Sequence, residues 1–233
     1  MFTGQANPVD GLKLYREKKR TRYLRPEERV RLNAALEEAE QPWSANKDRK
    51  NAPPLGRWSH VYAVRLLLLT GFRQSEVLSL EWSWIDRERC IIFLPDSKTG
   101  PSPRVISPAV LDLLDEIAAN HRRPELNLVL YGRRFQKIHP SSLRHFWGRI
   151  RAAAGLEDVH LHDLRHSAAS AAIEAGCTLR EVGALLGHKK SDTTARYAHL
   201  SDDAARRAAS RMTDEIARAE RKVTPTVRRA RKP

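Results

Sequence analysis

Cysteine is almost missing from this chain: its 233 residues hold two, Cys90 and Cys177. Neither belongs to a Cys-x-x-Cys pair or stands at a metal-like spacing from histidine. A disulfide-stapled scaffold is therefore excluded, and both read as buried free thiols in a reducing compartment. Aromatic residues make up 6%, too few for the stacking platforms of a single-strand nucleic-acid binder. Long apolar runs are absent too. The strongest, Val61 to Thr70, is broken by Arg65 and is too short to span a bilayer, so no membrane contact is expected. Met1-Phe-Thr-Gly-Gln-Ala6 lacks the apolar core of a secretory signal, and the expected location is the cytoplasm. No internal repeat is visible.

What the chain has in excess is positive charge. Lys and Arg number 42 against 28 Asp and Glu, a formal net charge of +14. That balance favours a polyanionic partner, most simply nucleic acid. The length allows one large or two small domains around a sizeable core. Charge says what binds; it does not say what is done to it.

The pattern along the chain is mainly helical. Residues 1–22 read as a linker, with turn chemistry at Asn7 to Gly11 and a charge run from Arg16 to Arg22. A first helix starts at Pro26, with Glu27 and Glu28 in the turn where the helix dipole favours acids. It carries a stripe of Val30, Leu32, Ala35, Leu36 and Ala39 and stops before Pro42. Residues 41–57 form a polar loop rich in breakers. A buried helix follows from Trp58 to Thr70, closed by Gly71, and then a short one carrying Glu76, Val77, Leu78 and Leu80. Three short strands are expected at Trp82 to Asp86, Cys90 to Leu94 and around Arg104 to Ser107, joined as a small antiparallel sheet. Pro108 opens a further helix, and residues 121–139 are mostly irregular. Ser141 or Ser142 caps a helix through Ala154. His162 opens another that runs to Gly176, and Thr178 caps the next, with Leu179, Val182, Leu185 and Leu186 inward. A short helix then carries Tyr197, and a last one spans about Ser201 to Glu220. The tail 221–233 holds six basic residues and no acids, so it is expected to be disordered or docked on a partner.

Four separated segments offer groups suited to a phosphodiester. In Thr70-Gly-Phe-Arg-Gln-Ser-Glu76 the planar fork of Arg73 follows a glycine turn, a rigid place from which to hold phosphate bidentately. Glu76 can anchor the backbone there, or simply pair with Arg73 at the surface. In Ser97-Lys-Thr-Gly100, Lys98 sits at a turn tip, where it is either solvated or able to protonate a leaving alkoxide. In Leu161-His-Asp-Leu-Arg-His-Ser167, His162 and Arg165 lie three apart on one helical turn. His162 and His166 also form an i, i+4 pair, but Asp163 stands where a zinc-protease motif needs glutamate and no third ligand is apparent. His166 reads as a packing histidine and no metal is expected. The fourth segment, Leu186-Gly-His-Lys-Lys-Ser-Asp-Thr-Thr-Ala-Arg-Tyr-Ala-His-Leu200, offers His188 and Tyr197. A phenol with a pKa near ~10 is a poor nucleophile unless cations stabilise the phenolate and the charge it attacks.

Taken in order, these segments resemble the motif set of the tyrosine recombinase, or phage integrase, family. Residues 70–76 resemble its first arginine box and 98–100 its hairpin lysine. Residues 162–166 resemble its second box, and Leu-Gly-His with Tyr-Ala-His its third. The resemblance runs from about Tyr23 to Leu200. It implies an α+β catalytic domain, mainly α with a small antiparallel sheet, over residues 23–200, and a C-terminal helix and basic tail over 201–233. It implies that residues 1–22 follow a helical DNA-clamping domain absent here, and that double-stranded DNA is the substrate. Tyr197 would attack a phosphodiester and form a 3′-phosphotyrosyl link. Arg73, Arg165 and His188 would neutralise the non-bridging oxygens, Lys98 would be the general acid, and His162 a hydrogen-bond partner or base, with Glu76 in support. No cofactor is implied. The resemblance also implies a homo-oligomer, a tetramer on DNA held through the C-terminal segment. In the family the last helix often packs on a neighbouring protomer; the alternative for 201–220 is an ordinary terminal helix on its own core. The alternatives are a type IB topoisomerase with like chemistry, a basic but inert DNA-binding regulator, and a helical adaptor without salt-sensitive DNA affinity.

Overall fold

A computed structural model describes residues 22–40, 57–95, 102–187 and 213. Its elements are α1 (Pro26–Glu40), α2 (Arg57–Thr70), α3 (Gln74–Leu78), β1 (Ile85–Asp86), β2 (Ile91–Leu94), β3 (Ser102–Val105), α4 (Pro108–His121), α5 (Pro140–Ala153), α6 (Leu161–Glu174) and α7 (Leu179–Leu186). Single 3-10 turns occupy Trp82–Trp84 and Arg133–Phe135. The mainly helical fold with one small antiparallel sheet is as the sequence implies.

α2 is the central rod. Val61, Tyr62, Ala63, Val64, Leu66 and Leu67 are all buried, and the helix packs on α1, α3, α4, α5 and α6. A helix apolar on most sides has to be enclosed this way. α6 approaches it closely because Ala168, Ala169 and Ser170 present little bulk, and Ala169 and Ser170 are themselves buried. α1 buries Leu32, Ala35, Leu36 and Ala39 as expected, but Val30 is 71% exposed and leaves the stripe. The chain before α1 is tied down by Arg22, which bonds both Glu28 and Asp158 at 2.7 Å.

The sheet has the order β1-β2-β3, antiparallel throughout. Its boundaries differ from the expected ones. Trp82 to Trp84 is a turn rather than a strand, because the Trp82 and Ser83 amides donate to the carbonyl and side-chain oxygens of Asn127 at 2.8 and 3.1 Å. β3 starts earlier than Arg104, since Leu94 pairs with Ser102 and Ile92 with Arg104. Pro103 is tolerated because β3 is an edge strand.

Helix starts differ in detail as well. α5 is capped by His139, whose Nδ1 accepts from the Ser141 amide at 3.3 Å, with Pro140 at the first helical position. α6 begins one residue before His162, where the His160 amide donates to Asp163 Oδ2 at 2.8 Å. Thr178 caps α7 as expected, with Glu181 returning to the Thr178 amide at 2.7 Å. Within α7, Val182 and Leu186 are buried, whereas Leu185 is exposed. Cys90 and Cys177 are free but half-buried rather than buried. Among the described residues no helix is long and apolar enough to cross a membrane.

Candidate nucleic-acid cleavage site

Two glycine turns frame the site. α2 ends at Thr70, and Gly71 takes φ +63, a left-handed value that disfavours any residue with a Cβ. A Cβ here would also meet Leu186 Cδ2 and the Ala168 methyl. The turn delivers Arg73 to the start of α3. Its amide donates to Glu76 Oε2 at 2.6 Å, and its Nη1 meets Glu76 Oε1 at 2.8 Å. Glu76 therefore holds Arg73 at both ends while the Arg73 side chain stays 51% exposed. The Arg73 guanidinium is thus paired with Glu76 yet half open to solvent.

Arg165 is placed differently. It is 5% exposed on α6. Nη1 donates to the Gly71 carbonyl at 2.6 Å and Nη2 to the Leu186 carbonyl at 2.9 Å. One planar fork thus satisfies the C-terminal carbonyls of α2 and α7 together and sets the distance between the two turns. Lysine has no such fork. His162 is exposed at the start of the same helix, with its ring edge-on to buried His166 at 5.0 Å. His166 is the packing histidine the pattern suggests. Gly187 ends α7 at φ +67, and His188 is the next residue in sequence. His188, Lys98 and Tyr197 lie outside the described residues.

Arg104, expected only as a strand residue, also lies at this site. It is 5% exposed, on the inward side of β3, with Nη2 at 4.0 Å from Glu76 Oε1. Burial pushes its guanidinium below the usual arginine value; Glu76 raises it and Arg73 lowers it further. The available signal was an arginine at an alternating strand position between Pro103 and Val105. So Arg73 and Glu76 at the start of α3, Arg104 of β3 and Arg165 of α6, three separate elements, meet around the Gly71 and Gly187 turns. Among the described residues no group of three His, Cys, Asp or Glu side chains could hold a metal ion.

Residues 22–204 match the phage integrase family. The chain belongs to that family. Among its relatives, the shufflon-specific DNA recombinase of Escherichia coli is 33% identical over 137 residues, covering 58% of this chain and 33% of the relative. The tyrosine recombinase XerC of Corynebacterium glutamicum is 29% identical over 144 residues, covering 59% and 45%. The chain thus spans between a third and a half of these curated relatives' length. In three dimensions it resembles the XerH site-specific recombinase in a post-cleavage complex with palindromic difH substrate. The TM-score is 0.62 at 22% identity, covering 81% of this chain and 52% of that one. At that identity the likeness shows the fold, which is that of an integrase-family catalytic domain.

Proposed function

We propose that this integrase-family chain cleaves and rejoins double-stranded DNA by transesterification, with residues 23–200 as the catalytic unit. The Tyr197 oxygen forms a bond to phosphorus and the bond from phosphorus to the 5′ oxygen breaks. His162 serves as hydrogen-bond partner or base for the phenolic proton, and Lys98 delivers a proton to the departing 5′ oxygen. Arg73, Arg165 and His188 neutralise the non-bridging oxygens as charge builds. The covalent 3′-phosphotyrosyl link conserves the bond energy for attack by another strand's 5′ hydroxyl, so no nucleotide cofactor enters.

The observation that carries this reading is the coupling of the two arginine boxes. Arg165 donates to the carbonyl of Gly71, two residues before Arg73, so residues 94 apart in sequence share one turn. The α5 face supports DNA as the partner. It begins beside Arg73, where Gln74 donates to the Pro140 carbonyl at 3.3 Å, and it exposes Arg144, His145 and Arg149. An apolar groove of about 180 Å³ includes Leu69, Val105, Leu185 and Leu186 in its lining. We assign it to residues 201–220 of a neighbouring copy in a tetramer on DNA, and place residues 1–22 as a linker behind a DNA-clamping domain.

The test uses nicked suicide duplexes and denaturing gels. A covalent protein–DNA adduct is expected from the wild type. It should vanish in Tyr197→Phe while DNA affinity stays within about threefold, since a hydroxyl adds no charge to the phosphate contacts. Binding without an adduct in both proteins would instead favour an inert DNA-binding regulator.

A further inference from the structure

Arg104 is a buried charge whose partners fall short of its needs. It is 5% exposed, and its Nε has no hydrogen-bond partner. The facing carboxylate oxygen, Glu76 Oε1, lies 4.0 Å from Nη2, beyond hydrogen-bond reach, and is already engaged by Arg73 Nη1. Such a cation is costly to bury, and an apolar side chain of similar volume would fill the same space more cheaply. Its guanidinium also lies directly against Gly187, so closely that a Cβ at position 187 would fall inside the group. Gly187 is the αL residue on which α7 ends, and the chain continues from it into His188. β3, on which Arg104 sits, follows directly in sequence on the segment that carries Lys98.

We propose that Arg104 is a positioning residue for strand cleavage. Its flat guanidinium forms the seat on which the Gly187 turn rests, and so fixes where the chain leaves α7 toward His188 and Tyr197. Through Glu76 its charge also steadies the carboxylate that holds Arg73. The charge adds to the positive field of Arg73 and Arg165, which a buried apolar filler would not do. The inference rests on the strand-transfer reading and extends it to a residue outside the recognised boxes. It also accounts for why position 187 has no room for a side chain.

The test measures single-turnover adduct formation from suicide duplexes, DNA affinity and thermal midpoint on the full chain. Arg104→Met should slow adduct formation by about 10²-fold, the loss that a misplacement near 1 Å causes, with Kd changed far less. Arg104→Lys, which keeps charge but not the planar fork, should recover at most a tenth of the lost rate. Gly187→Ala should slow cleavage sharply in the wild type and much less on top of Arg104→Ala, because the clash is then gone. Wild-type cleavage by Arg104→Met, or Gly187→Ala and Arg104→Ala effects that simply multiply, would overturn the assignment and leave strand transfer standing. Absence of any adduct from the wild type would overturn strand transfer, and Arg104's role with it. If Arg104→Met fails to fold by circular dichroism, Arg104→Lys and Gly187→Ala decide. Full activity in either one refutes the seat.

Discussion

The Arg165 guanidinium bridges the carbonyl oxygens of Gly71 and Leu186, at 2.6 and 2.9 Å. Two helix ends that would otherwise leave buried acceptors unsatisfied are closed by one side chain. Stability and site geometry therefore depend on the same atoms. Arg165→Ala should lower unfolding free energy by about 2–4 kcal/mol, from two acceptors left without donors. Arg165→Lys should lower it less, because one ammonium can reach one carbonyl well. Urea melts of both variants beside adduct assays check this. Loss of cleavage with no loss of stability would contradict the bridge.

Arg73 should behave in the opposite way. Its ion pair with Glu76 is half-exposed, and such pairs contribute roughly 0–1 kcal/mol. Arg73→Ala should melt within a few degrees of the wild type, yet form adduct at least ~10²-fold more slowly, as expected on removing a preorganised charge from a transition state. Glu76→Gln should lie between the two, because it weakens the hold on Arg73 and leaves Arg104 facing a neutral group. Thermal melts together with adduct rates rank the three.

Gly71→Ala tests the turn itself. A left-handed φ and a Cβ pressed on Leu186 and Ala168 should destabilise by about 1–3 kcal/mol, the range for a strained backbone position or an overpacked one. Cleavage should fall further than stability, because both arginines are hung on this turn. A control with Gly155→Ala, where a Cβ would meet nothing within 4 Å, should bear only the backbone strain and leave cleavage nearly intact.

A pH dependence follows from His121. Its ring stacks on Trp58 with centroids 4.0 Å apart. Burial pushes it below the usual histidine range, against the smaller opposing pull of Glu40 and Glu116. The unfolded chain titrates near ~6.5, so on acidification it takes up this proton before the folded protein does. The stabilising contribution is therefore complete above about pH 6.5 and is lost as pH falls toward the folded value. NMR titration should place the His121 midpoint below that of an unfolded peptide. Denaturant midpoints between pH 7.5 and 5.5 should fall less in His121→Phe than in the wild type. A His121 midpoint at or above the peptide's would refute the burial argument.

The legible parts of this chain were those set by local chemistry. Pro26, Pro108 and Thr178 announced three helices, and glycine marked the ends of α2 and α6. The apolar stretch after Trp58 could hardly be anything but the central rod. What escaped was decided by distant partners. Trp82 to Trp84 looked like strand, and it turns because Asn127 takes its amides. His139 replaces the expected serine caps because an imidazole nitrogen can accept as a hydroxyl does. Arg73 and Arg165 could be picked out by their neighbours in sequence. That one is offered outward and the other locked between carbonyls could not. Arg104 escaped because strand alternation leaves open which face meets the core, and only its pairing with buried Ile92 settles the matter.

The Arg165 bridge also sets an order of events during synthesis. Gly71 emerges long before Arg165, and Leu186 later still, so a partly made chain has no framework on which to gather cations around a phosphate. A chain that ends before α6 lacks both Arg165 and Leu186 and cannot form the bridge. On the strand-transfer reading proposed above, a competent site exists only once α6 and α7 have closed onto the turn that ends α2.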